Sequence, residues 1–413
     1  MKAFFIDKFI SEFVTKRPVS MFLPDIREHE SDLRKAIEGK KVLVIGGAGS
    51  IGSSFIRAIL PFRPAALIVV DINENALAEL TRDLRSTKGM FVPEDYIPYP
   101  MSYSSVTFKQ MFTDRGGFDI VANFSAHKHV RSEKDIYSVE AMLKNNVLDA
   151  RRLLDLLTQY PPQMYFCVST DKAANPVNIM GASKRLMEDI IFSYSDKFPV
   201  KTARFANVAF SNGSLPAGFL ARLSRLQPLS GPNDVKRYFV SPEESGQICM
   251  LSCMLADNRE IVFPKLEKQQ MMTFDKIGVE LLHEYGYEPD YCNSDQEAVE
   301  KAAALKEMIM KGGHDAILKY PVHFTVSDTA GEKPFEEFYT RYENVDMSKF
   351  KELGVITGKQ IPDREALGQL CADLDKIFDD HSAAKEKVIE IIGKYLPEFS
   401  HIDNGNKQLD SKM

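Results

Sequence analysis

Residues Gly46-Gly47-Ala48-Gly49-Ser50-Ile51-Gly52 follow directly on the apolar run Val42-Leu43-Val44-Ile45 and open a helical pattern that continues to residue 60. A strand that turns on glycines into a helix leaves few choices of fold. Gly46 permits the tight turn, Gly49 lets the backbone approach a phosphate, and Gly52 lets helix and strand pack closely. The first helical amides, those of Ser50 and Ile51 among them, and the positive end of the helix dipole then face an anion held on the turn. An acid, Asp71, ends the next apolar run, 19 residues after Gly52. That is the place of a carboxylate holding the adenosine ribose hydroxyls of a dinucleotide. The alternative is a glycine-rich loop in an unrelated sheet, which has no need of the acid. Asn73, beside Asp71, and Ala126, beyond the third expected strand, complete the expected cofactor contacts. A carboxylate at 71 repels a 2′-phosphate, and Ile72, Asn73 and Glu74 bring no arginine, so NAD is favoured over NADP.

From residue 41 short apolar runs alternate with helical stretches. Residues 41–45, 66–70, 118–124, 163–168 and 201–205 read as strands, and 51–60, 75–86, 138–159 and 181–195 as helices. Such alternation predicts an α/β chain built on a doubly wound parallel sheet, covered on both faces. The expected organisation is an N-terminal helical extension (1–40), a dinucleotide-binding domain (41–210), a smaller α/β substrate-binding lobe that can exchange strands with it (211–345), and a C-terminal helical extension with a polar tail (346–413).

Composition excludes several classes. A net charge of −6 argues against a nucleic-acid surface, and none of the apolar runs in the 413 residues approaches a membrane span. Asp7 and Glu12 interrupt the apolar start, so a signal peptide is not expected. Cys167, Cys249, Cys253, Cys292 and Cys371 share no repeating spacing and read as buried thiols, consistent with a cytoplasmic protein. His127 and His129 flank Lys128 without a third ligand, so no metal site is expected.

The buried run Phe166-Cys167-Val168 leads into Ser169-Thr170-Asp171-Lys172. Ligands of an open parallel sheet lie beyond the carboxyl ends of its strands, so this polar cluster stands where substrate should lie. Met180-Gly181-Ala182-Ser183-Lys184 then opens a helix. Many nicotinamide enzymes carry Tyr-x-x-x-Lys here, the lysine holding the nicotinamide ribose and lowering the tyrosine pKa. Met180 occupies the tyrosine position, and a thioether cannot move a proton.

The stretch Ser169 to Arg185 (STDKAANPVNIMGASKR) resembles the signature of the nucleoside-diphosphate-sugar 4,6-dehydratases, among them the UDP-N-acetylglucosamine 4,6-dehydratases of polysaccharide biosynthesis in the extended short-chain dehydrogenase/reductase superfamily. Residues 71–77, 128–130, 146–148, 204–208 and 237–239 add to the resemblance, which covers about residues 15–265. Arg17-Pro18-Val19 resembles the linker that follows the membrane domain in the anchored branch of that family, and the expectation is of a chain without that domain.

The resemblance implies a Rossmann-type fold, homo-oligomeric assembly and a nucleotide-sugar substrate. It also implies a three-step reaction: oxidation at carbon 4, elimination of water across carbons 5 and 6, and return of the hydride to carbon 6. Asp171 is then the acid and Lys172 the base on adjacent carbons. That work needs a protonated Asp171 and a neutral Lys172, so the two are expected to titrate as a pair. With Met180 in place of tyrosine, Thr170 is the candidate to handle the carbon 4 hydroxyl proton, with Lys184 beside it. Lys128, Asn207 and Arg237 are the candidate substrate contacts, a guanidinium fork being suited to phosphate oxygens.

Asp328-Thr329-Ala330-Gly331-Glu332-Lys333 resembles the family's late Leu-Arg-Pro-Gly-Glu-Lys segment without its arginine, about 30 residues are inserted near 290–320, and Pro100-Met101-Ser102 replaces an acid near the adenine. Two other readings stay open: a sugar-nucleotide epimerase on the same scaffold, and a catalytically silent NAD-binding regulatory protein.

Overall fold

A computed structural model describes residues 4–129, 133–312, 318–327 and 336–402. In chain order the first strands are β1 (Lys41–Ile45), β2 (Ala66–Asp71), β3 (Asp95–Pro100), β4 (Ile120–Asn123), β5 (Met164–Val168) and β6 (Val200–Ala203). Then come β7 (Asn207–Val208), β8 (Leu229–Pro232), β9 (Lys236–Arg237), β10 (Phe239–Val240), β11 (Ile261–Pro264) and β12 (Met272–Thr273). The last are β13 (Tyr287–Tyr291), β14 (Leu318–Thr325), β15 (Asn344–Asp346) and β16 (Leu353–Thr357).

Nine of these form one sheet in the order β15-β16-β11-β6-β5-β4-β1-β2-β3. β1 pairs in parallel with β2 on one side and β4 on the other, Val44 lying opposite both Val69 and Ala122. The chain therefore winds outward in two directions from β1. The loops leaving β1 and β4 diverge and open a crevice beyond the carboxyl ends of the strands. Side chains alternate across the sheet: Leu43, Ile45, Ile68, Val70 and Val121 enter one core and Val42, Val44, Leu67, Val69 and Ala122 the other. Both faces are covered, which is why these strands read as unbroken apolar runs.

Three features depart from the sequence expectations. β3 contains Pro98 and Pro100 and was not anticipated; it lies at the sheet edge, where a missing amide donor costs nothing. The helix expected at 138–159 is broken by a π-helical segment, Lys144–Asp149, between helices Ile136–Leu143 and Ala150–Leu157. The stretch from 346 is not wholly helical: β16 pairs antiparallel with β11 inside the main sheet, with Val355 and Ile356 fully buried, before helices Arg364–Asp379 and Lys385–Tyr395 begin. β11 and β15, from the segment expected as a lobe, also belong to the main sheet.

A third core gathers Phe219, Leu281, Tyr320 and Val322 around the parallel strands β13, β14 and β8. Phe9, Ile10 and Val14 of the N-terminal extension join it. That extension is fastened by charge as well. Arg17 donates from Nε and Nη2 to the two Glu244 oxygens at 2.6 Å each, and the buried Asp25 carboxylate accepts from the amides of Lys351 and Glu352 at 2.6 and 2.9 Å. Among the described residues no helix is long and apolar enough to cross a membrane.

Candidate active site

Gly46 adopts a φ of +70°, and a Cβ there would stand 2.7 Å from the Ser125 amide nitrogen. At Gly52 a Cβ would meet the Gly46 carbonyl oxygen at 2.4 Å. The turn can thus close only with glycine at both positions, and it brings the start of helix Ser50–Ile59 up against β1. The amides of that first turn have no acceptor within the helix. They border a cavity of about 330 Å³ lined by Gly46, Gly49, Ser50, Ile51 and Gly52, with Ala126 and Lys128 from the loop after β4. These residues form a cradle that fits a pyrophosphate. Behind it, Gly246 of helix Pro242–Leu255 lets the two helices touch, since a Cβ at 246 would lie 2.2 Å from the Ser54 carbonyl oxygen.

The opposite wall of the same cavity is the β5 end. Thr170, Asp171, Lys172, Met180 and Lys184 line it, together with Asn207. Thr170 caps the short turn Asp171–Ala173, and its Oγ1 donates to Asp171 Oδ1 at 2.7 Å. Lys172 Nζ reaches Asp171 Oδ1 at 3.2 Å and Oδ2 at 3.4 Å. Asp171 is buried, whereas the Lys172 side chain keeps 31% exposure, so the pair presents one dry and one accessible group. The next helix, Ile179–Ser193, begins with Asn178 Oδ1 accepting from the Gly181 amide at 2.8 Å. Lys184, one turn in, is buried and donates to the Val168 carbonyl at 3.1 Å; burial pushes its ammonium pKa down, against the pull of Cys167 and Glu188. Met180 is buried on the cavity wall and offers no proton.

Other expected residues lie elsewhere. Asp71 is not on the cavity wall; its Oδ2 accepts from the Ala48 amide at 3.1 Å and its Oδ1 from the Asn73 amide at 2.9 Å, which stitches the glycine turn to the end of β2. Asn73 uses its side chain as the N-cap of helix Glu74–Ser86, accepting from Ala76 at 3.1 Å. Arg237 is buried in β9, not a surface charge, and its Nη1 donates to the Lys236 carbonyl at 2.9 Å, outside the cavity lining. Lys128, by contrast, lines the cavity, and its exposed side chain donates to the Asn212 carbonyl at 3.1 Å. The segment Asp328 to Lys333 and Val130 fall outside the described residues.

The structural roles of two supports were not legible in the sequence, although Asn146 lies in the 146–148 match. Asn146, in the π-helical segment, accepts from the His127 amide at 2.9 Å and donates from Nδ2 to the His127 carbonyl and to Ser183 Oγ. It so joins the loop after β4 to the helix carrying Lys184. Glu133 accepts from the Met180 amide at 2.8 Å and pairs through its other oxygen with His401 at 3.2 Å, drawing the C-terminal segment onto the same helix start. Neither partner is near in sequence, so no local pattern announces them.

The fold and the cavity define an α/β protein of Rossmann type whose glycine turn shares a cavity with an aspartate–lysine pair at a strand end. The sequence profile of the polysaccharide biosynthesis protein family matches residues 42–357, and the chain belongs to that family. The resemblance to the nucleoside-diphosphate-sugar dehydratases stands with it. An uncharacterised membrane protein of Methanocaldococcus jannaschii is 30% identical over 63% of this chain and 77% of its own length. The probable polysaccharide biosynthesis protein EpsC of Bacillus subtilis is 28% identical over 62% of this chain but only 42% of its own length, so the chain spans less than half of that relative. An inverting UDP-N-acetylglucosamine 4,6-dehydratase of Campylobacter jejuni is 24% identical over 56% and 69%. Two solved structures share the fold: Pen from Bacillus thuringiensis (TM-score 0.60, 18% identity, 80% of this chain and 92% of that one) and the dTDP-glucose 4,6-dehydratase DesIV from Streptomyces venezuelae with NAD bound (0.50, 21%, 60% and 81%).

Proposed function

We propose that this chain is a sugar-nucleotide-modifying enzyme of polysaccharide biosynthesis that oxidises carbon 4 transiently and removes water across carbons 5 and 6 of a nucleoside-diphosphate sugar, UDP-N-acetylglucosamine being the first candidate. The observation that carries the reading is the Asp171–Lys172 pair at 3.2 Å, in the same cavity as the glycine cradle and Lys184. A 4-epimerase needs a hydride site but no acid–base pair for elimination, and a silent binding protein needs neither Asp171 nor Lys172 in the cavity.

The cofactor is NAD. When bound, it supplies a hydride acceptor that is regenerated within one turnover. The glycine cradle and the first turn of helix Ser50–Ile59 hold its pyrophosphate, and Lys184 holds the nicotinamide ribose. The chain's own groups do the rest. Thr170 passes the carbon 4 hydroxyl proton toward Asp171, to which its hydroxyl is bonded. Lys172 takes the proton from carbon 5 once its neighbour is a ketone, and returns a proton there when carbon 6 is reduced. Asp171, protonated, delivers a proton to the departing carbon 6 hydroxyl. Lys128 and Asn207 face the same cavity and hold the sugar diphosphate; Arg237, buried outside the cavity lining, is a further candidate.

The test is incubation with UDP-, GDP-, CDP- and dTDP-sugars in deuterated water, followed by mass spectrometry and proton NMR. Loss of one water with deuterium at carbon 5 is the expected result. Isomerisation without water loss identifies an epimerase, and no turnover of any of these sugars overturns the enzymatic reading.

A further inference from the structure

Residues 396–402 follow helix Lys385–Tyr395 and line no part of the active-site cavity. They nonetheless reach residues 174–180, which join the turn of Asp171 and Lys172 to the helix of Met180 and Lys184. Leu396 and Phe399 are buried in the core that also holds Ile179, Leu186 and Ile190 of that helix. Beyond them, the Ile402 amide donates to the Val177 carbonyl at 3.0 Å. His401 Nε2 pairs with Glu133 Oε2 at 3.2 Å, and Glu133 Oε1 accepts from the Met180 amide at 2.8 Å. The His401 and Glu133 side chains are 7% and 9% exposed, so little water is at hand to replace a lost partner. The helix start also touches the catalytic turn: a Cβ at Gly181 would stand 2.8 Å from the Lys172 carbonyl oxygen. Packing this close transmits a shift of the helix start to the turn.

We propose that Glu133 and His401 are positioning residues, through which residues 396–402 clasp the start of helix Ile179–Ser193 and hold Lys184 and Lys172 in register. The Met180 amide is one of the first-turn donors that a helix cannot satisfy by itself. Asn178 takes the amide of Gly181, and Glu133 takes that of Met180 from a distant segment. A carboxylate there also complements the positive end of the helix dipole. Its second oxygen, buried as well, needs a donor, and His401 supplies it. The bonds thus run in series from the docked segment to the helix start, and losing either side chain breaks the series. A displacement of about 1 Å at a reacting group can cost on the order of a hundredfold in rate. Lys128 and Asn207 come from other elements, so the grip on the sugar diphosphate does not depend on the clasp.

The effect on turnover rests on the dehydratase reading; the effects on NAD and on the helix start do not. Glu133→Ala, His401→Ala and the double variant are compared with the parent, as full chains, by NAD titration and amide hydrogen exchange. Each single variant should weaken NAD about fivefold or more. Exchange at residues 183–185 should quicken about tenfold or more, while that at 190–193 stays as in the parent. The double variant should lose no more than either single variant, because the bonds act in series. Glu133→Gln, whose amide can accept from Met180 and donate to His401, should keep NAD affinity within about twofold of the parent's. His401→Ala carries the test alone if Glu133→Ala does not fold. Parent-like NAD affinity and exchange in His401→Ala, or additive losses in the double variant, overturn the inference. In the activity arm, His401→Ala should lower kcat about tenfold or more and leave KM for the sugar within about twofold. An unchanged kcat also overturns it. If the parent dehydrates no nucleotide sugar, the proposed function falls, while NAD titration and exchange still decide the clasp.

Discussion

Lys184 Nζ lies 3.1 Å from the carbonyl oxygen of Val168, the last residue of β5. Together with Ser169 Oγ, which donates to Glu188 at 2.6 Å, this bond ties helix Ile179–Ser193 to the strand end that carries Thr170 to Lys172. Replacing Lys184 by Met keeps the volume and removes the donor and the charge. NAD affinity should fall at least about tenfold, equivalent to ~1.4 kcal/mol, with the fold retained. Isothermal titration and circular dichroism read the two effects separately.

Thr170→Val deletes the hydroxyl bonded to Asp171 at 2.7 Å while keeping the side-chain shape. Loss of a proton-handling group typically slows chemistry on the order of a hundredfold. Single-turnover absorbance of the reduced nicotinamide should show that loss with little change in NAD binding. A hydride-transfer rate equal to the parent's would exclude Thr170 from the proton path.

Asp71 supports the glycine turn through Ala48 and, in the proposed complex, the ribose of NAD. Asp71→Ala should weaken NAD more than NADP, so that the ratio of their dissociation constants shifts toward NADP by about tenfold. Paired titrations with the two dinucleotides measure it.

Glycines divide into two kinds. Gly52→Ala drives a Cβ toward the Gly46 carbonyl oxygen, a backbone atom that cannot yield cheaply, and should cost about 1–3 kcal/mol along with NAD binding. Gly218 lies inside helix Leu215–Ser224 with nothing within 4 Å of a built Cβ. Gly218→Ala should stabilise by about 0.4–1 kcal/mol. Urea denaturation distinguishes the two signs.

Arg204 is fully buried between two carboxylates, donating to Glu188 at 2.8 and 2.6 Å and to Glu343 at 2.9 and 3.1 Å. Arg204→Met leaves both acids without their fork and should cost about 3–5 kcal/mol. Burial works to raise the Glu343 carboxyl, but the pairs with Arg204 and Lys359 override it and hold it down at about 2 against an ordinary 4.5. A depressed carboxyl stabilises the fold above its unfolded pKa, so this contribution is lost as pH falls from about 4.5 to about 2. Asp189 has the opposite sign: burial raises it to about 6, and its contribution fades as pH climbs from 3.8 through 6. Melting temperatures across acid pH should show a smaller acid-labile part in Arg204→Met than in the parent, since Lys359 still pairs with Glu343 there.

Much of the cavity could be read along the chain because it is built from local rules. A strand, a glycine turn and a helix are neighbours in sequence, and so are Thr170, Asp171, Lys172 and Lys184. Strand-end placement follows from the parallel sheet that the alternating pattern implies. Asp71 shows the limit of that logic: its position at the end of β2 was legible, but not its bonds to Ala48 and Asn73. β3 was hidden by its prolines, which only an edge position tolerates, and β16 by the helices that follow it.

What the linear order could not supply is the set of partners brought in from a distance. Glu336 meets Asn207 across 129 residues, and His401 meets Glu133 across 268. A buried polar group is stable only where packing delivers its partner, and that depends on which segments lie side by side in space. The glycine spacing and the Asp171–Lys172 step therefore set the chemistry on offer. The packing of residues 336–343 and of the C-terminal segment against the sheet decided which charges surround it.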